Sequence, residues 1–384
     1  MKLSVQIFTA ATATLATLVG MPLASAHEDI SHYLFVPNRA SADVAVIDTH
    51  SDRVIARIDV GNVPHQVVVS TTLGKLVVSN TADNTVTIVN ARSFEIEATV
   101  ALDAAPEHMA LSPNGETLAV GNFDAGTVSL LSLIDNRETV RISGFFEPHN
   151  LTFTADGAML YVANFGANFV SVINVAAGAL IGEIPVGAPT AIASIGPDEA
   201  YQGIINVTRD GSLGFAVHGE SDSLAVIDLE TQGIVKRIAL GDKPWRAYAS
   251  SDGRYMVTPN NGDQTVSVVS IETLEVVATV AGAADMTGIN FDRTGTTAYV
   301  LSRGENKLVV IDLAAMKTIG EIALPSSPET GVVTPDGSKL YLALSGSNQV
   351  AVIDLAARAL VATIDDVGAQ PWGATMAGAA NYCH

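Results

Sequence analysis

The chain repeats itself every 42 residues. Segments that end in an aliphatic residue after a charged or small pair recur as Ala56-Arg57-Ile58, Ala98-Thr99-Val100, Val140-Arg141-Ile142, Gly182-Glu183-Ile184, Lys236-Arg237-Ile238, Ala278-Thr279-Val280, Gly320-Glu321-Ile322 and Ala362-Thr363-Ile364. Their last residues are 42, 42, 42, 54, 42, 42 and 42 positions apart. A fixed period of this length marks an array in which each unit buries its apolar faces against its neighbours. There are eight units, and the fifth carries a 12-residue insertion near residues 187–201.

Every unit is built from the same pieces. A short apolar strand runs into a turn such as Ser112-Pro113-Asn114-Gly115 or Thr334-Pro335-Asp336-Gly337, whose Pro, Asx and Gly suit the restricted and positive φ values of a tight hairpin. A second strand follows, then a loop rich in Gly, Asn and Asp, then a third and a fourth strand. Four antiparallel strands in 42 residues make one propeller blade. The expected fold is therefore all-β, an eight-bladed β-propeller. The first unit lacks its innermost strand, because Ser31-His32-Tyr33 enters at the second. The missing piece stands at the other end as Pro371-Trp372-Gly373-Ala374-Thr375-Met376, which matches Pro64-His65-Gln66-Val67-Val68-Val69. A C-terminal strand that pairs into the N-terminal blade closes the ring and leaves no open edge. No linker or composition shift interrupts the series, so residues 27–384 read as one domain.

The repeats resemble those of the YVTN-type β-propellers, a secreted or periplasmic family of WD40-like architecture. The resemblance rests on Leu160-Tyr161-Val162-Ala163-Asn164 and Val78-Ser79-Asn80, with Leu340-Tyr341-Leu342-Ala343-Leu344 drifted at its last position. It covers about residues 32 to 377 and implies a fold far more than a function. Eight blades also resemble the haem-d1-binding propellers of nitrite reductase and its assembly factors. No CxxCH motif is present, so a covalent c-type haem is excluded.

Residues 1–26 read as a secretory signal peptide: Lys2, an apolar stretch over residues 5–23, then the small-residue site Ala24-Ser25-Ala26. The expected location is the periplasm. No second long apolar run exists, so no membrane span is expected. The net charge of −20 repels phosphate backbones at long range, which argues against nucleic acid and anionic membrane surfaces as partners. The lone cysteine, Cys383, rules out an internal disulfide. Cleavage after Ala26 would leave His27 as an amine-plus-imidazole chelator, and Cys383-His384 is a second terminal pair of donors; both read as mobile tails.

Chemistry is expected at one mouth of the central channel. In a blade, the start of the innermost strand and the end of the second strand lie on the same edge. The first position holds His65, Glu107-His108 and His149-Asn150 in blades two to four, Trp245-Arg246 in blade six, Glu329-Thr330 in blade eight and Trp372 in blade one. The second holds Asn38, Asn80, Asn122, Asn164 and Asn260, with His218 taking that place in blade five. Four of the eight histidines thus fall on one rim, in consecutive blades. Imidazole is a common ligand of zinc, copper and iron, and three or four converging side chains suffice. His65, His108, His149 and His218 are the candidate metal ligands, with Glu107 as a further ligand or an orienting partner. His108 is one residue out of register with His65 and His149, which leaves its direction open. Trp245, Arg246, Trp372 and Glu329 are candidate contacts for a planar cofactor such as non-covalent haem. The asparagines tolerate left-handed backbone and build side-chain turns, so they are expected to shape loops rather than bind ligand. If residues 204–207 form the innermost strand of blade five, the insertion lies over this mouth as a partial lid. The alternative, residues 190–195, puts it on the opposite face and breaks the alignment of Thr208-Arg209-Asp210-Gly211 with the other hairpin turns.

No GxSxG, HExxH, phosphate-binding glycine loop or EF-hand pattern occurs. The leading expectation is a non-enzymatic binding protein for a metal or metal-containing cofactor, in carriage or cofactor assembly. An interaction scaffold for a periplasmic protein partner is a second reading. A propeller lyase or lactonase, or an accessory subunit of a redox enzyme, is a third.

Overall fold

The computed structural model describes residues 29–186, 206–207 and 212–379. Among these residues are 32 strands in eight four-stranded antiparallel sheets, one per blade, and no helix. No helix long and apolar enough to cross a membrane occurs among them. Blade two is representative: Pro64–Ser70 is innermost, followed outwards by Lys75–Asn80, Thr85–Asn90 and Ile96–Ala101. Blade one is the composite. Its Tyr33–Asn38, Asp43–Asp48 and Arg53–Asp59 are joined on the inside by Thr375–Met376, with Leu34 opposite Met376 and Phe35 opposite Thr375.

The middle strands are apolar on both faces because both faces are covered. Alternate residues of a strand point to opposite sides. In blade one, Phe35, Val44 and Val46 pack with Val67, Leu76 and Val78 of blade two. Leu34, Val36, Ala45 and Ile47 pack the other way, against Val332, Tyr341, Val350 and Val352 of blade eight. The core is thus a ring of interblade seams. The fourth strands form the outer wall and alternate exposed and half-buried residues until one buried aliphatic, as in Arg53–Asp59, where that residue is Ile58. The 42-residue spacing in the sequence tracks this inward-facing position.

The repeated tyrosine ties blades together. Tyr161 donates its hydroxyl to the carbonyl of Leu229 (3.3 Å), Tyr299 to Leu355 (3.4 Å) and Tyr341 to Thr49 (3.2 Å). Each acceptor is the residue just past the third strand of the next blade. At the last seam Tyr341 also meets the Asp52 carboxylate, which pairs with Lys339 at 2.7 Å. Burial pushes the Tyr341 phenol well above the usual tyrosine range, and Asp52 reinforces the shift.

The asparagine series is structural by a different route from the one expected. The side chains are buried, and Nδ2 donates to hydroxyls of the third strand: Asn122 to Thr127 (3.0 Å) and Ser129 (2.9 Å), Asn260 to Thr265 and Ser267 (both 2.9 Å). The left-handed backbone belongs to residues four positions later, as at Ala42, Asn84, Gly126 and Gln264.

Candidate functional site

The mouth is built by a bulge that recurs in the innermost strands. In blade two the pairing register jumps between Pro64 and Val67, in blade three between Pro106 and Met109, in blade four between Pro148 and Leu151, and in blade eight between Pro328 and Gly331. In blades six and one the same proline makes an isolated bridge, Pro244 to Asn260 and Pro371 to Asn38. Proline lacks the N–H that would continue the ladder, and a bulge re-aims the side chains it carries. The two residues after each proline are His65-Gln66, Glu107-His108, His149-Asn150, Trp245-Arg246, Glu329-Thr330 and Trp372-Gly373. All the site residues expected from innermost strands sit on these bulges.

The bulges bring three donors together. Ligand atoms of His65, Glu107 and His108 all lie within 4.8 Å of one another. The His65 and His108 rings are 5.1 Å apart between centroids. His149 lies against His108 at 3.8 Å, so the one-residue offset of His108 does not separate it from its neighbours. The Asn150 amide contacts both rings, with Oδ1 2.9 Å from His149 Nδ1 and Nδ2 3.5 Å from His108 Nδ1. Ser79 clamps the first two bulges: its Oγ accepts from the Gln66 N–H (3.1 Å) and donates to the Glu107 carbonyl (2.7 Å). Gln66 Oε1 in turn accepts the Met109 N–H at 2.5 Å. The donor set is fixed by the blade scaffold rather than by loops.

Aromatic rings extend the cluster around the rim. Trp372 stands 6.1 Å from His65, Phe165 5.3 Å and Phe123 6.0 Å from His149, and Trp245 6.5 Å from Phe165. Arg39 lies over Trp372 at 4.3 Å and Arg246 beside Trp245 at 5.6 Å. Phe123, Phe165 and Arg39 were not anticipated. Each directly follows an asparagine of the second-strand series, so the signal was one residue beyond the position being read. Burial pushes the Glu107 carboxyl up to about 7; Arg39 opposes that shift and Asp124 adds to it. Burial and Asp124 raise the Glu147 carboxyl on the same rim.

Two expected residues stand apart. His218 is outside the three-donor cluster: its Nδ1 accepts the Ser221 N–H at 3.3 Å and faces Ser221 Oγ at 3.0 Å, filling the place of the asparagine. Burial pushes its imidazole down to about 4. Glu329 is engaged within its own rim: it accepts from Ser345 Oγ and pairs with Arg303 at 3.3 Å, and Arg303 also holds Asp285 at 2.8 Å. In blade five Asn206–Val207 is the innermost strand, paired with Phe215 and Gly214. The insertion and its lid role lie outside the described residues, as do His27, Cys383 and His384.

Gly121 sets how closely blades three and four approach at the site. A Cβ there would sit 2.6 Å from the Pro148 carbonyl oxygen. The Gly121→Ala variant is expected to push the Pro148-His149 bulge outwards and to lose about 1–3 kcal/mol in urea unfolding. A wild-type midpoint would show that the bulge yields freely.

Comparison with known proteins follows from this architecture. The sequence profile described as YNCE-like beta-propeller matches residues 69–381. The chain belongs to the YNCE-like β-propeller family. No curated protein matches it in sequence. Solved structures similar to this YNCE-like propeller include the dihydro-heme d1 dehydrogenase NirN in complex with DHE, at TM-score 0.74 and 18% identity, covering 93% of this chain and 78% of that one. Apo AztD from Citrobacter koseri matches at TM-score 0.69 and 11% identity over 91% and 98% of the two chains. Kuenenia stuttgartiensis hydrazine synthase matches at 0.59 and 21% over 76% and 96%. At these identities the likeness is one of fold.

Proposed function

We propose that this propeller binds a first-row transition metal at the channel mouth through His65, Glu107 and His108, and acts as a carrier or in cofactor assembly rather than as an enzyme. The observation that carries the reading is the convergence of two imidazoles and a carboxylate within 4.8 Å on rigid strand bulges. Two nitrogens and one oxygen are a donor set suited to zinc, copper(II) or iron(II). Asn150 against His108 supplies the orienting contact that a ligating imidazole needs. The N-terminal stretch over residues 1–26 supports a periplasmic site of action, where a periplasmic protein would deliver or receive the metal.

A second reading is favoured by the belt of Trp372, Phe123, Phe165 and Trp245. Flat rings flanked by Arg39 and Arg246 suit a planar, anionic metal-containing cofactor such as non-covalent haem. NirN, of the same fold, was solved in a complex.

The test is metal content by mass spectrometry on untagged protein incubated with zinc, copper or iron(II), beside a His65→Ala/His108→Ala variant. The variant is expected to hold one equivalent fewer than wild type while keeping its melting temperature within a few degrees in chelator. Equal metal content in the two proteins would overturn the proposal. Titration with haem, read as a Soret shift in wild type that a Trp372→Ala variant weakens, would shift the assignment to the second reading.

A further inference from the structure

The opposite face of the ring carries a second group of donors. His32 precedes the second strand of blade one, and Asp48 and His50 flank the end of its third strand, so all three lie at the edge away from the mouth. Their ligand atoms lie within 4.8 Å of one another, and the two imidazole rings are 4.9 Å apart at 40°. We infer that His32, Asp48 and His50 form a second, surface-accessible site for a transition-metal dication of the zinc type, independent of the mouth.

Three observations carry it. The first is that the histidines break the repeat. The position of His32 is filled elsewhere by Gly74, Glu116, Ala158, Ser212, Arg254, Thr296 and Ser338, and that of His50 by Arg92, Ile134, Ala176, Glu230, Glu272, Ala314 and Ala356. Blade one alone has an imidazole at either place, and it has both. Asp48, by contrast, has an ordinary structural role in the repeat, because Asp228, Asp312 and Asp354 cap the same turn. A routine turn carboxylate has been flanked by two ligands.

The second observation is rigidity. Thr49 donates its N–H (3.0 Å) and its Oγ1–H (2.8 Å) to the His32 carbonyl, which ties the strand bearing His32 to the turn bearing His50. The His50 N–H donates to Asp48 Oδ1 at 2.8 Å, and the His50 ring Nδ1 lies 3.5 Å from the same oxygen. Ordering is therefore built in before a metal arrives.

The third is access and charge. His32 and His50 line an open cleft of about 420 Å³ between blades one and eight, with Asp29 on its rim. The cation on the far wall, Lys339, is already matched by Asp52 at 2.7 Å and by the Thr49 carbonyl at 3.1 Å. Asp29 supplies a further carboxylate for the metal or its bound water. Two nitrogens and one or two oxygens on an open surface make a closed structural zinc site less fitting than an exchangeable one with water in the remaining position. Such a site takes up zinc and releases it.

The experiment is equilibrium dialysis of the untagged full chain against zinc, with bound metal counted per chain, on wild type, His32→Ala/His50→Ala, His65→Ala/His108→Ala and the combination. The His32/His50 variant is expected to lose one equivalent and to keep the equivalent that the mouth variant loses. Because His50 is exposed and His32 half-buried, the metal-free melting temperature of the variant is expected to match wild type. A conservative His32→Gln/His50→Gln variant is expected to fold equally well and to lose the same equivalent. Zinc stoichiometry unchanged in both variants would overturn this site whatever the mouth does; loss in the mouth variant alone would overturn it while leaving the proposed function intact.

Discussion

A chain ended at Gln370 is expected to lose the wild-type unfolding transition and to aggregate. The deleted segment supplies the inner edge of blade one. Pro371 bridges Asn38, the Trp372 N–H donates to the Pro37 carbonyl at 2.9 Å, and Thr375 and Met376 pair with Phe35 and Leu34. Thr375 Oγ1 reaches across to the Val67 carbonyl of blade two at 3.1 Å. Ala374, Thr375, Met376 and Ala377 are all buried, and Met376 is 1% exposed between blades one and eight. Losing the Met376 side chain alone costs about 2–5 kcal/mol. The unpaired edge of Tyr33–Asn38 is then bare, apolar and open to pairing with another chain. Against a typical net stability of about 5–15 kcal/mol, the ring is not expected to survive as a cooperative unit. Calorimetry and size-exclusion chromatography on the truncated chain read both effects. A soluble monomer melting within a few degrees of wild type would mean that the seam between blades eight and one holds without the closing strand. Adding the 371–384 peptide in trans is expected to restore part of the transition, because the missing contacts are those of one strand.

The closing strand was legible because it repeats a pattern seen elsewhere in the chain. The fold as a whole was legible for the same reason: eight copies average out the ambiguity of any one short strand. Buried Ile238, Val280, Ile322 and Ile364 kept their 42-residue spacing because each must face inwards at the same point of an outer wall. The mouth was legible only by position. Strand direction places His65, Glu107, His108 and His149 on one rim, but the distance between them depends on the proline bulges, and a bulge is a register jump that simple alternation does not reveal. The one-residue offset of His108 looked like divergence and is convergence, since a bulge presents two consecutive residues to the channel. Phe123, Phe165 and Arg39 were masked by the asparagines before them, whose repetition serves strand-to-strand hydrogen bonds such as Asn122 to Ser129. Repetition marked architecture, and departures from it marked candidate chemistry. The His32 and His50 pair obeys that rule at the edge of blade one away from the mouth.

His218 is the departure that did not join the cluster, and it gives the second large effect: a His218→Asn variant is expected to resist acid better than wild type. The imidazole is fully buried, and the Ser221 N–H donates to its Nδ1. Protonation would put a charge in an apolar seam and a proton where Nδ1 now accepts. Burial therefore depresses the folded pKa to about 4 from an ordinary value of 6.5. Between those two values the unfolded chain holds a proton that the folded chain refuses, so stability falls as the pH drops from about 6.5 to about 4 and levels off below. The full loss is on the order of 3 kcal/mol. Asparagine fills the same place in five other blades and carries no titrating group, so the variant escapes this loss. Any cost of repacking the smaller side chain is the same at every pH, and the carboxylates titrate alike in both proteins, so the difference in slope isolates His218. Urea midpoints at pH 7.5 and 4.5 are the measurement. The expected outcome is a gain for the variant of about 2–3 kcal/mol at pH 4.5 relative to its difference from wild type at pH 7.5. Parallel losses in the two proteins would mean that the histidine is solvated in the folded chain or held by a partner that stabilises its charge, and would return His218 to the set of residues able to meet a ligand at the mouth.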